Sequence, residues 1–407
     1  MQGINTGDTA WILVCCSLVL LMTPGLAFFY GGMVRKKNLL STLTLSYVFM
    51  ALIGVQWLLY GYSLAFGHDI GGFIGGLNYL GFNNVGITPS PDYASTIPHQ
   101  VFASFQMMFA VITPALITGA FVERVRFKSF LLFSLLWATL VYDPLCHWVW
   151  GKGGWLAVRG LLDFAGGTVV HISAGFSALA FAMVIGPRRG FPKVPMEPNN
   201  IPYTVLGTGL LWVGWFGFNA GSALSANGVA GGALLATNTS AAGAALVWIL
   251  LSWLDGRPSL LGMVTGMVVG LAAVTPASGF VTPLAALFIG MVAAPISYYA
   301  IRFRINRQLD ESLDVWACHG LASTWGMIAT GLFATTAANP GGANGLFYGN
   351  AAQLPIQLLG VVVTMVFAFG VTYILAKVLD MSIGLRVNHM EEEVGLDISG
   401  HGERAYS

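Results

Sequence analysis

Apolar runs of close to twenty residues recur from one end of this chain to the other, and no other feature constrains its fold as tightly. A helix needs about 20 residues to cross the hydrocarbon core of a bilayer. A single buried core cannot account for so many such runs. Only 9% of the residues are charged against 56% apolar, too little charge to coat a water-soluble protein of this size, so the chain belongs in lipid.

Eleven spans are expected, at roughly 9 to 33, 41 to 67, 99 to 122, 127 to 149, 167 to 187, 201 to 223, 230 to 254, 260 to 276, 280 to 303, 314 to 336 and 355 to 383. The first run reads as a spanning helix rather than a signal peptide, since residues 1–10 carry Asp8 and no Lys or Arg, where a secretory leader has a basic start. When loops are assigned to alternate sides, one side collects Arg35, Lys36, Lys37, Arg124, Arg126, Lys128, Arg188, Arg189, Lys193, Arg257, Arg302, Arg304 and Arg307. The other collects Lys152 and Arg159. The positive-inside rule makes the first side cytoplasmic, with the N-terminus outside, the C-terminus inside and a multi-pass location in the cell (inner) membrane. A missed or extra span would scatter the basic residues over both sides. The Gly-, Asn- and Pro-rich segment 67–98 reads as a polar cap on the outer face. Residues 385–407, with Glu391, Glu392 and Glu393, form a cytoplasmic tail too polar to insert.

Two histidines stand out inside the apolar runs. His171 falls in the fifth expected span, in Gly166-Gly167-Thr168-Val169-Val170-His171-Ile172-Ser173-Ala174-Gly175, and His319 in the tenth, in Val315-Trp316-Ala317-Cys318-His319-Gly320. Ionisable groups at mid-membrane cost roughly 2.5–3.5 kcal/mol on insertion scales, a penalty a neutral imidazole avoids. Five spans per unit force a second unit to insert upside down, and inverted repeats set their functional groups at the interface between halves. The expected fold is therefore all-α and integral to the membrane: a transmembrane domain over 1–384 with two inverted five-helix repeats at about 9–187 and 201–336 and a last helix at about 355–383. The plainer alternative is a pair of hydrogen-bonded packing histidines. No His-x-x-x-His, Cys-x-x-Cys or Glu-x-x-His spacing suggests a metal, no nucleophile has a base at a recognisable spacing, and no Walker-type Gly-Lys-Ser/Thr occurs. No metal, cofactor, catalytic residue or enzymatic activity is expected, and the near-neutral charge gives no support for nucleic-acid binding. Cys15, Cys16, Cys146 and Cys318 read as small core residues.

Aromatic residues gather toward the outer ends of several spans: Phe105 and Phe109, Trp150, and Phe218 followed by Ser222. Aromatic faces attract cations by about 2 kcal/mol when desolvated. An ordinary interfacial aromatic belt is the competing account.

Over essentially its whole length the sequence resembles the ammonium transporter family, the Amt/MEP branch of the Amt/Rh superfamily. Asp163-Phe164-Ala165-Gly166-Gly167-Thr168-Val169-Val170-His171-Ile172 is similar to its signature, and Pro24 to Gly32, Gly214 to Ser222 and Gly384 to Val387 match further blocks. The resemblance implies that Phe109, Trp150 and Ser222 recruit ammonium, with Asp163 supporting the site. It also implies that Phe109 and Phe218 form a gate, that His171 and His319 line the pore, and that the protein is a homotrimer with a pore within each subunit. Gly395-Leu396-Asp397 and His401-Gly402-Glu403 match a tail that communicates between subunits and accepts a PII-type regulator.

Moving a bare ion into a low-dielectric interior costs of order 20 kcal/mol by an idealised estimate, so the expected route is recruitment of NH4+, loss of its proton and passage of NH3. Two other readings are a membrane ammonium sensor and an Rh-like neutral gas channel. Sensor members of the family usually carry an added cytoplasmic signalling domain, and the outer site separates this chain from the Rh pattern. Asp143, in Tyr142-Asp143-Pro144, reads as a helix-breaking structural carboxylate, and Asp314 as the cap of the His319 helix.

Overall fold

The computed structural model describes residues 3–406. Among them, nine helices are long and apolar enough to cross a membrane: Thr6–Met33, Lys36–Phe66, His99–Ala120, Phe127–Val158, Gly167–Ile185, Ile201–Gly221, Gly228–Leu254, Pro283–Asn306 and Gln353–Ile383. The shorter apolar helix Leu260–Val274 and the helical stretch running through Trp316–Leu321 and Ala322–Phe333 occupy the two other expected positions. Local chemistry sets where several helices begin. Asn5 accepts from the Gly7 and Asp8 amides, Asn227 from Val229 and Ala230, Ser259 from Gly262, and Thr282 from Ala285. Each side chain satisfies amides that the first helical turn leaves free.

The outward faces are apolar and exposed, as at Leu246, Leu284, Val366 and Met381, which suits a lipid solvent. With lipid outside there is little hydrophobic drive between helices, and close backbone approach and polar contacts hold them instead. Helix Thr6–Met33 packs along Ile201–Gly221, where a Cβ on Gly207 would collide with the backbone of Gly25 and Phe29. Inside the bundle the Trp137 indole donates to Ser177 and Thr372 at 2.9 and 3.0 Å. The helix does not break at Asp143-Pro144. A π-helical turn over Ala138–Tyr142 leads straight into Asp143–Trp150, and this wider turn accommodates the proline that would otherwise clash with the preceding carbonyl.

The two ends of the bundle differ. At one end, residues 67–98 form two small antiparallel hairpins, Asp69–Ile70 with Ile74–Gly75 and Pro89–Ser90 with Ala94–Pro98, and a short 3-10 stretch over Leu77–Phe82. Residues read from sequence as a polar cap thus carry local sheet. At the basic end, Glu123 and Asp310 are buried between Arg35 and Arg188: Arg188 donates to Glu123 at 2.7 Å and to both Asp310 oxygens at 2.8 and 2.9 Å, and Arg35 donates to Glu123 at 2.9 Å. Burial acts to raise the Glu123 carboxyl, but Arg188 and Arg35 outweigh it and hold it down to about 2. Asp310 likewise ends at about 2, burial being overcome by Arg188 and Arg124.

Both shifts lie below the ordinary carboxylate values, so the stability they supply is present above about pH 4 and is lost as pH falls toward 2. The melting temperature of the solubilised protein should therefore be flat from neutral pH to about 5 and drop between about 4 and 2. A Glu123→Gln variant should show a shallower drop, and an unchanged slope would mean that this carboxylate is not what titrates.

The tail is ordered and docked at the basic end. Asn388 and Glu391 form a reciprocal cap for His389–Val394, and Leu396–His401 follows. The Leu396 amide donates to Asn38 and the Ser41 amide to Asp397, both at 2.8 Å. Arg386 and the Arg189 amide donate to Glu392 at 2.7 and 2.6 Å. Asn38 also donates to Glu123 at 2.9 Å, linking the tail to the buried ion cluster.

Candidate functional site

His171 and His319 lie on π-helical turns, Gly167–Ile172 and Trp316–Leu321, which begin their respective spans. The His171 amide donates to the Gly166 carbonyl five residues back at 3.1 Å, the long-step bond that defines such a turn. The extra residue redirects the side chains that follow. The two helices meet where Gly175 faces Gly320, and a Cβ on Gly175 would overlap the Gly320 backbone. Only glycine permits this approach, which brings the imidazoles together.

Both rings are buried, with Nδ1 of His319 3.3 Å from Nδ1 of His171 and ring centroids 5.3 Å apart at 22°. Across a bond between two Nδ1 atoms, one ring donates and the other accepts. In the neutral pair the donor therefore has a bare Nε2 and the acceptor an Nε2–H, so the pair offers one acceptor and one donor outside its own bond. Nε2 of His171 is buried without a protein partner. His171 also stacks on Trp215 at 5.3 Å and on Phe218 at 5.9 Å, while the Trp215 indole donates to Thr275 at 2.9 Å.

Beyond Phe218 the file of rings continues to the hairpin end. Phe218 and Phe109 are in contact, with centroids 4.3 Å apart, and Phe109 meets Trp150 edge-on at 5.9 Å. Phe105 packs behind Phe109 at 5.0 Å. A vestibule of about 300 Å³ opens above them, lined by Phe66, Asp92, Tyr93, Phe102, Gln106, Phe109, Val149, Trp150, Phe164, Ser222 and Leu224. The Trp150 indole N–H is committed to the Asp163 carbonyl at 3.0 Å, which fixes the ring. The Ser222 hydroxyl donates to the Phe218 carbonyl at 2.8 Å, so its remaining lone pairs are acceptors only.

The structure thus brings Phe109, Trp150, Ser222 and Phe218 into one column ending at His171 and His319. Asp163 stands beside it. Its Oδ1 accepts from the Gly166 and Gly167 amides at 2.9 and 2.6 Å, and its Oδ2 accepts from the Thr168 amide at 2.7 Å and from the Thr168 hydroxyl. Gly166 supplies the left-handed conformation, φ +111°, that folds these amides back onto the carboxylate. Asp143 is fully buried elsewhere in the bundle and receives the Gln56 amide at 2.8 Å.

The expected cap at Asp314 is corrected. Glu311 accepts from the Val315 and Trp316 amides at 2.6 and 3.1 Å, whereas Oδ1 of Asp314 is taken by Arg304 at 2.9 and 2.6 Å. Asp314 has φ +60° and its carboxylate is engaged by Arg304, so a carboxylate three residues earlier takes the free amides. Burial pushes the Glu311 carboxyl up to about 7, against Arg304. Sequence reading also passed over Trp215, although Trp215, Phe218 and Ser222 share one helix face by their spacing. The vestibule residues Asp92 and Gln106 carry no local signal, Asp92 lying in a polar connection and Gln106 within an apolar helical run.

Comparison with known proteins gives a consistent result. The sequence pattern of the Ammonium Transporter Family matches residues 10–406. Ammonium transporter Amt1 of Archaeoglobus fulgidus is 51% identical over 403 residues, covering 99% of this chain and all of that protein. The crystal structure of Candida albicans Mep2 superposes with a TM-score of 0.91 at 35% identity, over 96% of this chain and 88% of Mep2. A structure described as a sensor Amt protein superposes with a TM-score of 0.90 at 29% identity, over 97% and 98% of the two chains.

Proposed function

The chain belongs to the ammonium transporter family, and from that premise we propose that it recruits NH4+ at Phe109, Trp150 and Ser222, removes a proton, and passes NH3 through a Phe109–Phe218 gate along His171 and His319. The observation that carries this reading is the unbroken column from vestibule to paired imidazoles. Trp150 presents a fixed ring face, Phe109 an aromatic wall, and Ser222 lone pairs with no proton to spare: two cation attractions and an acceptor for a small N–H cation. The protein substitutes for part of the hydration shell here and nowhere deeper.

Below the vestibule the balance changes. An intact ion in the ring-lined section would forfeit far more than the ~2 kcal/mol a cation–π contact returns. Ammonia pays much less, because it carries no charge and the imidazole pair offers one donor and one acceptor to it. The Phe109–Phe218 contact leaves no space between the rings, so passage requires them to swing. The shed proton either returns to the entry side or crosses separately by way of the linked imidazoles.

The wider arrangement follows the same premise: eleven spans in two inverted repeats of five plus a last helix, N-terminus outside and C-terminus inside, a cell-membrane location and a homotrimer with a pore in each subunit. Opposed placement of the two π turns supports the repeats, since the His171 helix starts beside the vestibule and the His319 helix beside Arg304. The docked tail beside Lys37 and Arg189 supports a regulatory face able to receive a PII-type protein. The likeness to a structure described as a sensor Amt protein favours a second reading, a membrane ammonium sensor.

His171→Ala and His319→Ala in proteoliposomes should each reduce ammonium flux about ten-fold, the loss of roughly one buried hydrogen-bonding contribution. Unchanged flux in both variants removes the histidines from the mechanism. Flux and current recorded together after an ammonium jump separate NH3 passage from net charge movement: no current in the wild type would falsify a crossing proton. Ammonium binding with no flux at all would select the sensor.

A further inference from the structure

Among the residues lining the vestibule only Asp92 bears a formal negative charge, and it is already paired with a cation of the same chain. Lys152 donates from Nζ to Asp92 Oδ1 in a short contact. The two groups come from different elements and are both held at the backbone. Asp92 lies in the turn between Pro89–Ser90 and Ala94–Pro98, next to Tyr93, whose hydroxyl donates to the Phe66 carbonyl at 2.6 Å and whose ring stacks on Phe102 at 5.2 Å and 8°. Lys152 follows Trp150 by two residues, and its amide donates to the Tyr93 hydroxyl at 3.3 Å.

The side chains are less tightly held than the backbones. The Lys152 side chain is 66% exposed and that of Asp92 29%, so this is a surface pair of the kind worth little net stability and exchanging readily with ions in solution. A lysine head is itself an alkylammonium: a unit positive charge on nitrogen carrying three N–H donors. It is the closest chemical likeness to NH4+ that a protein side chain offers. The chain therefore holds a tethered analogue of its cargo on the one carboxylate at the entrance.

We infer that Asp92 is an outer docking subsite for ammonium and small primary alkylammonium ions, and that Lys152 is its built-in competitor. An incoming cation displaces Nζ from Asp92 and then moves inward to Trp150 and Ser222. Lys152 swings into solvent as this happens, and its return to the carboxylate favours onward transfer of the cation over retention. The inference rests on the recruitment reading of Trp150, Phe109 and Ser222. It adds a step before that site and makes the apparent affinity depend on a charge pair outside the aromatic cage.

The test uses the full chain in proteoliposomes, with ammonium chloride as the probe and half-saturation of flux as the readout, in about 20 mM and about 0.5 M salt, where the screening length falls from roughly 20 to 4 Å. At low salt Lys152→Gln should lower the half-saturation concentration about five-fold and Asp92→Asn should raise it by a similar factor, the scale of one exposed charge pair. The double variant should match Asp92→Asn alone, and all the differences should shrink at high salt. Should Lys152→Gln leave half-saturation unchanged or raise it, or the double variant keep the gain of Lys152→Gln, the competitor role is overturned. Lys152→Gln alone decides the matter if the hairpin does not tolerate Asp92→Asn. Trp150→Ala is run in parallel: no shift there defeats the aromatic recruitment reading, while a shift there with none from Lys152→Gln defeats only the docking subsite.

Discussion

Asp163→Ala is expected to reduce ammonium flux to the level of protein-free vesicles while leaving the assembled protein recoverable from the membrane. The carboxylate binds no cargo in the proposed mechanism, yet the change should exceed that of either histidine variant. It accepts from three consecutive backbone amides and the Thr168 hydroxyl at the start of the His171 helix. A methyl group accepts none of them. Each buried donor left unsatisfied costs about 1–3 kcal/mol, and the summed cost far exceeds what a single π-helical turn retains. That turn aims His171, and its collapse also displaces the backbone carbonyl of residue 163 that holds the Trp150 indole, so recruitment and conduction fail together. Asp163→Asn should fall between, because its oxygen still serves Gly166 and Gly167 while its NH2 opposes the Thr168 amide. Thr168→Val, which removes only the hydroxyl donor, should stay within a few-fold of wild type. Normal flux from properly assembled Asp163→Ala protein would show that the cap is dispensable and that packing against Gly320 alone positions His171.

Arg188→Met should be the most destabilising change at the basic end. It takes from Asp310 its ion-paired side chain and from Glu123 one of its two, both carboxylates being buried. Removing one partner from a buried ion cluster typically costs about 3–5 kcal/mol, much more than the intact cluster contributes. A drop of roughly 5 °C in melting temperature is expected at neutral pH. The diagnostic is reversal. Adding Asp310→Asn removes the carboxylate that loses its paired side chain, while Glu123 keeps Arg35, and should recover part of the loss although no ion pair is restored. If the double variant melts as low as Arg188→Met, the arginine acts through packing of its stem. The tail should loosen as well, because Asn38 joins Glu123 to Leu396, and proteolysis after Val387 reads that loosening directly.

The fold was legible where lipid imposes it. Apolar runs, Lys and Arg placement and the short polar connections are local in sequence, and the helices of Thr6–Met33 through Gln353–Ile383 appear where those runs predict them. Legibility ended where two distant segments had to meet. The hairpins of 67–98 depend on docking over the bundle: the Trp148 indole donates to the Phe73 carbonyl at 2.7 Å, and the Trp155 amide to Gly72 at 3.1 Å. Neither bond has a periodicity to reveal it. The exchange of roles between Asp314 and Glu311 has the same origin, since Arg304, from the preceding helix, claims the nearer carboxylate and leaves the amides to the farther one.

The histidines divide along this line. That two imidazoles sit within apolar spans was determined by sequence alone, because side-chain polarity and run length are properties of the chain. Their relation was decided by tertiary structure. A π turn adds a residue to each helix without any marker in composition, and the contact of Gly175 with Gly320 places two nitrogens 148 residues apart in sequence at 3.3 Å. Backbone proximity is a pairwise quantity, and only the packed bundle supplies the second member of each pair.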